Sequence, residues 1–182
     1  MLRLFVGLDL APTARERLAV LASGLQGARW VDPASYHVTL AFIGELDAAA
    51  AQNLDRELSL VKAASFDLEI SGVGSFETKG KLRAIWAGVT LSKPLELLQG
   101  RVAAACARAE INLEARKFKP HVSLARFKEQ PSKDRLGDWL MSNGLLRLPP
   151  WPVQDFVLFR SHLGGTGPHY EVLARYTCLQ KE

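Results

Sequence analysis

Two four-residue stretches carry side chains whose types and spacing can do chemistry: His37-Val38-Thr39-Leu40 and His121-Val122-Ser123-Leu124. Read as strand, each puts residues i and i+2 on one face, about 6.6 Å apart. His37 and Thr39 then leave one face while Val38 and Leu40 leave the other, and His121 and Ser123 repeat the arrangement. Ser and Thr together fill only 17 of the 182 positions, so a hydroxyl at the same offset from both histidines reads as a matched pair. Two imidazoles facing each other across a cleft suit general acid-base catalysis. An ordinary pKa near 6.5 lets one ring be neutral and the other protonated close to neutral pH. The hydroxyls of Thr39 and Ser123 would donate hydrogen bonds to the non-bridging oxygens of a phosphoryl group gaining charge. Arg116, Lys117, Lys119, Arg126 and Lys128 surround the second motif and could attract a phosphate. Strand parity assigns Arg126 to the face of Val122 and Leu124. It reaches the histidine face only if the strand ends or bulges just after Leu124.

Other chemistries fit less well. A histidine metal site usually adds carboxylate or thiolate ligands at short spacing, and neither motif has one nearby, so no metal is expected. The nucleophile elbow Gly-x-Ser-x-Gly is missing; Gly72 to Ser75 reads as a turn. Gly80-Lys81 lacks the rest of a phosphate-binding loop. Trp30, Tyr36, Phe42, Trp86, Phe118, Trp151 and Tyr170 read as core side chains, and His162 and His169, with no Ser or Thr at i+2, as incidental. Cys106 reads as a buried free thiol, which fits a reducing cytoplasm. The formal charge of +4 favours anionic partners without the dense positive patch of a duplex-DNA binder. Met1 to Leu10 carries Arg3 and Asp9 and no long apolar run, so neither a secretory signal nor a membrane span is read.

The elements that must position these residues follow in order. Arg3 to Leu10 reads as an apolar strand, and Pro12 opens a helix with Leu18, Leu21 and Leu25 on one face, ended by Gly24 or Gly27. Asp32-Pro33 is a turn, Tyr36 to Ile43 a strand closed by Gly44, and Asp47 caps a helix with Leu54, Leu58 and Val61 inward. Phe66 to Val73 and Arg83 to Leu91 read as strands. Ser92 caps a helix through Leu95, Leu98, Val102 and Ala109. The second histidine strand is Pro120 to Phe127, followed by a helix from Ser132 to Asn143 with Gly144 as its stop. Val153 to Ser161 and Tyr170 to Leu179 are the last strands, joined by the loop Gly164 to Pro168. The opening strand returns: Arg3 to Pro12 lines up with Arg83 to Pro94, offset by 81 residues at Gly7 and Gly88 and by 84 at His37 and His121. That period exceeds a solenoid unit and reads as duplication into two lobes, each strand-helix-strand-helix-strand. An α+β fold with a pseudo-two-fold axis would bring His37 opposite His121.

With its duplicated His-x-Thr/Ser-x signature, the sequence resembles the two-histidine phosphoesterases, and among them the bacterial and archaeal RNA 2′,3′-cyclic phosphodiesterases, formerly called 2′-5′ RNA ligases. The likeness runs through RLFVGLDL, ARWVDPASYHVTLAFIGE, RAIWAGV, FKPHVSLAR and the closing strands with Ser161 and GPHY. Ser in place of Thr in the second motif is its main departure. The resemblance implies one bilobed α+β domain over 1–182, with repeats of roughly 3–82 and 83–179 and an antiparallel sheet in each lobe around a central cleft. It implies hydrolysis of an RNA-terminal or nucleoside 2′,3′-cyclic phosphate to a 2′-phosphate, without metal or cofactor. His121 would be the general base, His37 the general acid, and Thr39, Ser123 and Arg126 the substrate contacts. Run backwards, the same geometry could join a 2′,3′-cyclic end to a 5′-hydroxyl. A cytoplasmic monomer with no obligate protein partner is expected. The alternatives are a non-catalytic nucleotide- or RNA-binding module of the same fold, or a related phosphoesterase acting on a substrate such as 2′-5′ oligoadenylate.

Overall fold

A computed structural model describes residues 1–164 and 167–180. Its elements in chain order are β1 (Leu2–Asp9), α1 (Pro12–Ala19), β2 (Ala28–Trp30), a 3-10 turn (Pro33–Ser35), β3 (His37–Leu46), α2 (Ala48–Ser59), β4 (Phe66–Leu68) and β5 (Ile70–Thr78). They continue with β6 (Lys81–Val89), α3 (Lys93–Arg108), β7 (His121–Phe127), α4 (Lys133–Asn143), β8 (Trp151–Val153), β9 (Asp155–Gly164) and β10 (Gly167–Thr177). The caps read from the sequence are present: Asp47, Ser92 and Ser132 accept from the backbone N–H of Ala50, Leu95 and Arg135.

The main sheet is antiparallel throughout, in the order β10-β9-β1-β3-β7-β6-β5, with β2 also paired to β7. It is α+β, as expected. Its middle is thin: β3 and β7 share a single pair, Val38 with Val122. On one face Leu4, Leu8, Val38 and Leu124 pack with Leu54 of α2 and Leu98 of α3 in the core. Each such side chain contributes about 1.5–3 kcal/mol by leaving water. The opposite face carries a smaller cluster of Phe5, Val157 and Phe159. Among the described residues no helix is long and apolar enough to cross a membrane.

The structure corrects several expectations. The sheet's halves do not coincide with the sequence repeats: β5, from the first repeat, pairs with β6 of the second, while β9 and β10 border β1 of the first. The repeats therefore exchange their outer strands, and neither half-sheet is built from one segment. The first helix stops at Ala19. Gly24 and Gly27, at φ 86° and 77°, turn the loop after it rather than end it. β3 runs past Gly44 to Leu46 because that glycine, at φ 88°, kinks the strand instead of closing it. The single strand expected over Phe66 to Val73 is split into β4 and β5, with β4 pairing β8 in a separate two-stranded sheet. Gly165 and Thr166 of the expected loop lie outside the described residues.

Candidate functional site

Val38 and Val122 are fully buried and paired, which turns the alternate residues of both strands to the opposite face. That register sets His37 level with Ser123 and Thr39 level with His121, so each motif's hydroxyl lies across from the other motif's imidazole. Glycine makes room beside each. A Cβ on Gly7, which pairs with Thr39, would lie 2.8 Å from the Val38 carbonyl oxygen. One on Gly88, which pairs with His121, would lie 2.5 Å from that of Ser71.

Both rings are oriented from below in the same way. His37 Nδ1–H donates to the Ser35 carbonyl at 2.8 Å and His121 Nδ1–H to the Lys119 carbonyl at 2.7 Å. The neutral tautomer then leaves Nε2 as the lone-pair nitrogen of both rings. Thr39 Oγ1 lies 3.0 Å from His37 Nε2. Aromatic walls flank the pair. His37 packs against Phe5, with ring centroids 4.6 Å apart, and against the edge of Tyr170 at 5.0 Å. His121 meets the edge of Phe76 at 4.9 Å, and the Lys119 ammonium rests 4.5 Å above the Trp86 ring. Burial pushes the His37 pKa down to about 4; the hydrogen bond to Ser35 opposes this, and the charges of His121, Arg15 and Arg126 add to it. His121 moves down for the same reason, with Lys119 adding to it.

The bulge that Arg126 required is present. Ile85 pairs with Ala125 and Trp86 with Ser123, so Leu124 is an extra residue in β7. Leu124 and Ala125 are both fully buried, and Arg126 emerges exposed on the histidine face. The first motif does the same: Val6 pairs with Ala41 and Gly7 with Thr39, Leu40 is extra, and Phe42 takes the position equivalent to Arg126. Because β3 and β7 run antiparallel, Arg126 lies at the His37 end of the groove and Phe42 at the His121 end.

Phe42 corrects the core assignment, since it is 67% exposed, whereas Tyr36 is buried as expected. Trp30, Trp86, Phe118, Trp151 and Tyr170 are half-buried. Strict alternation missed Phe42; the signal was the Leu-Ala pair after each motif, two apolar residues in succession inside an alternating strand. Arg116 and Lys117 are exposed in the loop before β7, and Arg116 pairs with Glu114. His162 Nε2–H donates to the Glu171 carboxylate at 2.7 Å on the β9-β10 hairpin, away from the motifs. Among the described residues no three His, Cys, Asp or Glu side chains converge as a metal site. A cavity of about 540 Å³ lined by Lys62, Arg101 and Leu179 also lies elsewhere.

Comparison with known proteins points to one family. The family described as LigT like Phosphoesterase matches residues 8–86 and 89–170, one motif in each match. The RNA 2′,3′-cyclic phosphodiesterase of Archaeoglobus fulgidus is 29% identical, over 94% of this chain and 98% of its own. That of Thermotoga maritima is 29% identical over 97% and 95%. Among solved structures, TT0787 of Thermus thermophilus superposes with a TM-score of 0.79 at 25% identity, covering 96% of this chain and 97% of its own. E. coli LigT in its apo form gives 0.77 at 25% identity, covering 98% of each. With both of its histidine strands inside those two matches, this chain belongs to the LigT-like phosphoesterase family.

Proposed function

We propose that this chain hydrolyses a 2′,3′-cyclic phosphate at an RNA end or on a nucleoside to a 2′-phosphomonoester, as one bilobed domain whose two halves build one site. The observation that carries this reading is the Val38–Val122 pairing, which sets two imidazoles with like-oriented Nε2 atoms on one face. His121 Nε2 takes a proton from the attacking water, which forms the new P–O bond. The bond from phosphorus to the 3′-oxygen breaks, and His37 gives that oxygen a proton. Thr39 and Ser123 donate to the non-bridging oxygens as charge gathers there, and Arg126 contacts the substrate from the His37 end of the groove. Ring strain in the cyclic diester and fixed positioning supply the remainder of the rate. The exposed Phe42 ring offers a face on which a base can stack. The same groove run in reverse joins a cyclic end to a 5′-hydroxyl. Two buried free thiols, Cys106 and Cys178, accord with a monomer working in the reducing cytoplasm.

The test is turnover of a 2′,3′-cyclic nucleotide in excess chelator, with the product identified as the 2′-phosphate. His37→Ala and His121→Ala should each lower kcat by roughly 10²–10⁴-fold. Near-normal turnover by either variant overturns the two-proton scheme, and turnover that needs added zinc or magnesium overturns its metal independence. Tight binding with no turnover would instead favour a nucleotide-binding module.

A further inference from the structure

At the His37 end of the groove, Arg29 of β2 lies directly opposite Arg126 of β7. Its neighbours Ala28 and Trp30 pack against the core, so Arg29 shares the groove face with Arg126. Both residues are exposed, and among the described residues neither pairs with a carboxylate. Arg3 of β1 and Arg83 of β6 are likewise unpaired among the described residues, but neither has another arginine as its partner in the sheet register; Arg160 and Arg175, by contrast, lie beside Glu171 and Asp9. Like charges directly opposite on paired strands repel. A pair kept there with no acid between them has the electrostatics of an anion site, and two planar guanidinium forks match phosphate oxygens.

The chemistry of the ribose fixes which phosphate that is. C3′, whose oxygen departs, is bonded to C4′ and so to the 5′-carbon; C2′, whose oxygen keeps the phosphorus, is bonded to C1′ and the base. With His37 at the 3′-oxygen, the 5′ substituent points toward Arg126 and Arg29, and the base toward Phe42 at the other end. The bulge at Leu124 shortens the path from Ser123 to Arg126 to roughly two strand repeats, about 7 Å. That matches one nucleotide step along an extended strand.

We propose that Arg29, with Arg126, binds the phosphate on the 5′ side of the nucleotide carrying the cyclic ester, so that the preferred substrate is the 3′ end of an RNA chain. The inference rests on the hydrolase reading above and on His37 standing at the 3′-oxygen. Three compounds test it: a nucleoside 2′,3′-cyclic phosphate, the same compound with a 5′-phosphate, and a trinucleotide ending in the cyclic ester. The native chain should favour the two 5′-phosphorylated compounds in kcat/KM by about 10-fold or more, the effect of a charge-assisted contact. Arg29→Gln should bring that ratio close to one, mostly through KM, and Arg29→Lys should retain part of it. Log-log dependence of kcat/KM on salt for the trinucleotide should become shallower by about 0.7 in Arg29→Gln. Since the substitution relieves like-charge repulsion, its melting temperature should not fall, which separates lost binding from lost folding. A native chain without the preference, or an Arg29→Gln variant that keeps it, overturns the proposal while the hydrolase reading stands. No turnover of any of the three overturns both.

Discussion

His37 is the most tightly controlled ring in the site. Phe5, Phe159 and Tyr170 exclude water from it, the Ser35 carbonyl fixes its tautomer, and its pKa is pushed down to about 4. A ring so disposed gives up a proton readily and regains one when an anionic diester lies beside it, since a nearby negative charge favours imidazolium. For the free enzyme, kcat/KM should follow a bell with both limbs below pH 6.5, because both histidines titrate below the ordinary value. The bell alone does not say which ring is the acid, whereas the single variants do. Residual kcat/KM of His121→Ala should fall as pH rises, since only protonated His37 can serve the leaving oxygen. That of His37→Ala should rise with pH as His121 becomes neutral. Opposite slopes would exchange the two roles. The histidines and hydroxyls were legible in the sequence because an i, i+2 pair survives any strand. Arg126 and Phe42 were not, because one inserted residue in each strand reverses parity beyond it.

At the scale of elements, the short turn Pro33–Ser35 aims His37, and a side chain from α1 holds that turn in place. Arg15 donates to the carbonyls of Pro33 at 2.7 Å and Ala34 at 3.0 Å, and pairs with Asp9, which stands beside His37 in the β1–β3 register. Arg175 of β10 takes the other oxygen of Asp9 at 2.9 Å, tying the outer strand to the same clamp. Arg15→Met keeps most of the apolar stem and removes the bonds. It should cost about 1–3 kcal/mol in urea unfolding and lower kcat more than it raises KM, with the Nδ1 proton signal of His37 weakened by exchange. An unchanged His37 signal would show that the turn holds without Arg15. Helix caps and strand cores could be read from local chemistry, such as Asp47 three residues before the N–H it accepts from. The end of α1 could not, since the residues after Ala19 still carry helical apolar spacing, and their path is set by packing of Leu25 into the core.

At the middle of the sheet β3 and β7 share one residue pair, and what ties the two repeats together is the exchange of their outer strands and the common core under α2 and α3. β5 and β9 each bind a strand from the other repeat, so the two sequence repeats cannot part without breaking long ladders as well as the Val38–Val122 contact. Nothing local encodes the exchange; it follows from which edges are left to pair once β1 and β6 have placed the motifs. Unfolding should therefore be a single transition, and its free energy should report the histidines at the join. His37 is held neutral in the fold, with a pKa of about 4 against roughly 6.5 in the open chain. Between those values the unfolded chain binds the proton and the native one does not, so stability is complete above about pH 6.5 and is lost as pH falls toward 4. His121 and Asp9, both with lowered pKa values, push in the same direction, Asp9 only at the acid end. The His37 share approaches roughly 3 kcal/mol at the acid limit. His37→Gln removes the titrating ring at similar size, so its urea-unfolding free energy should fall less steeply between pH 7 and 4 than that of the native chain. Equal slopes in the two proteins would mean that His37 is protonated in the fold as readily as in water, and that the aromatic wall does not exclude solvent from it.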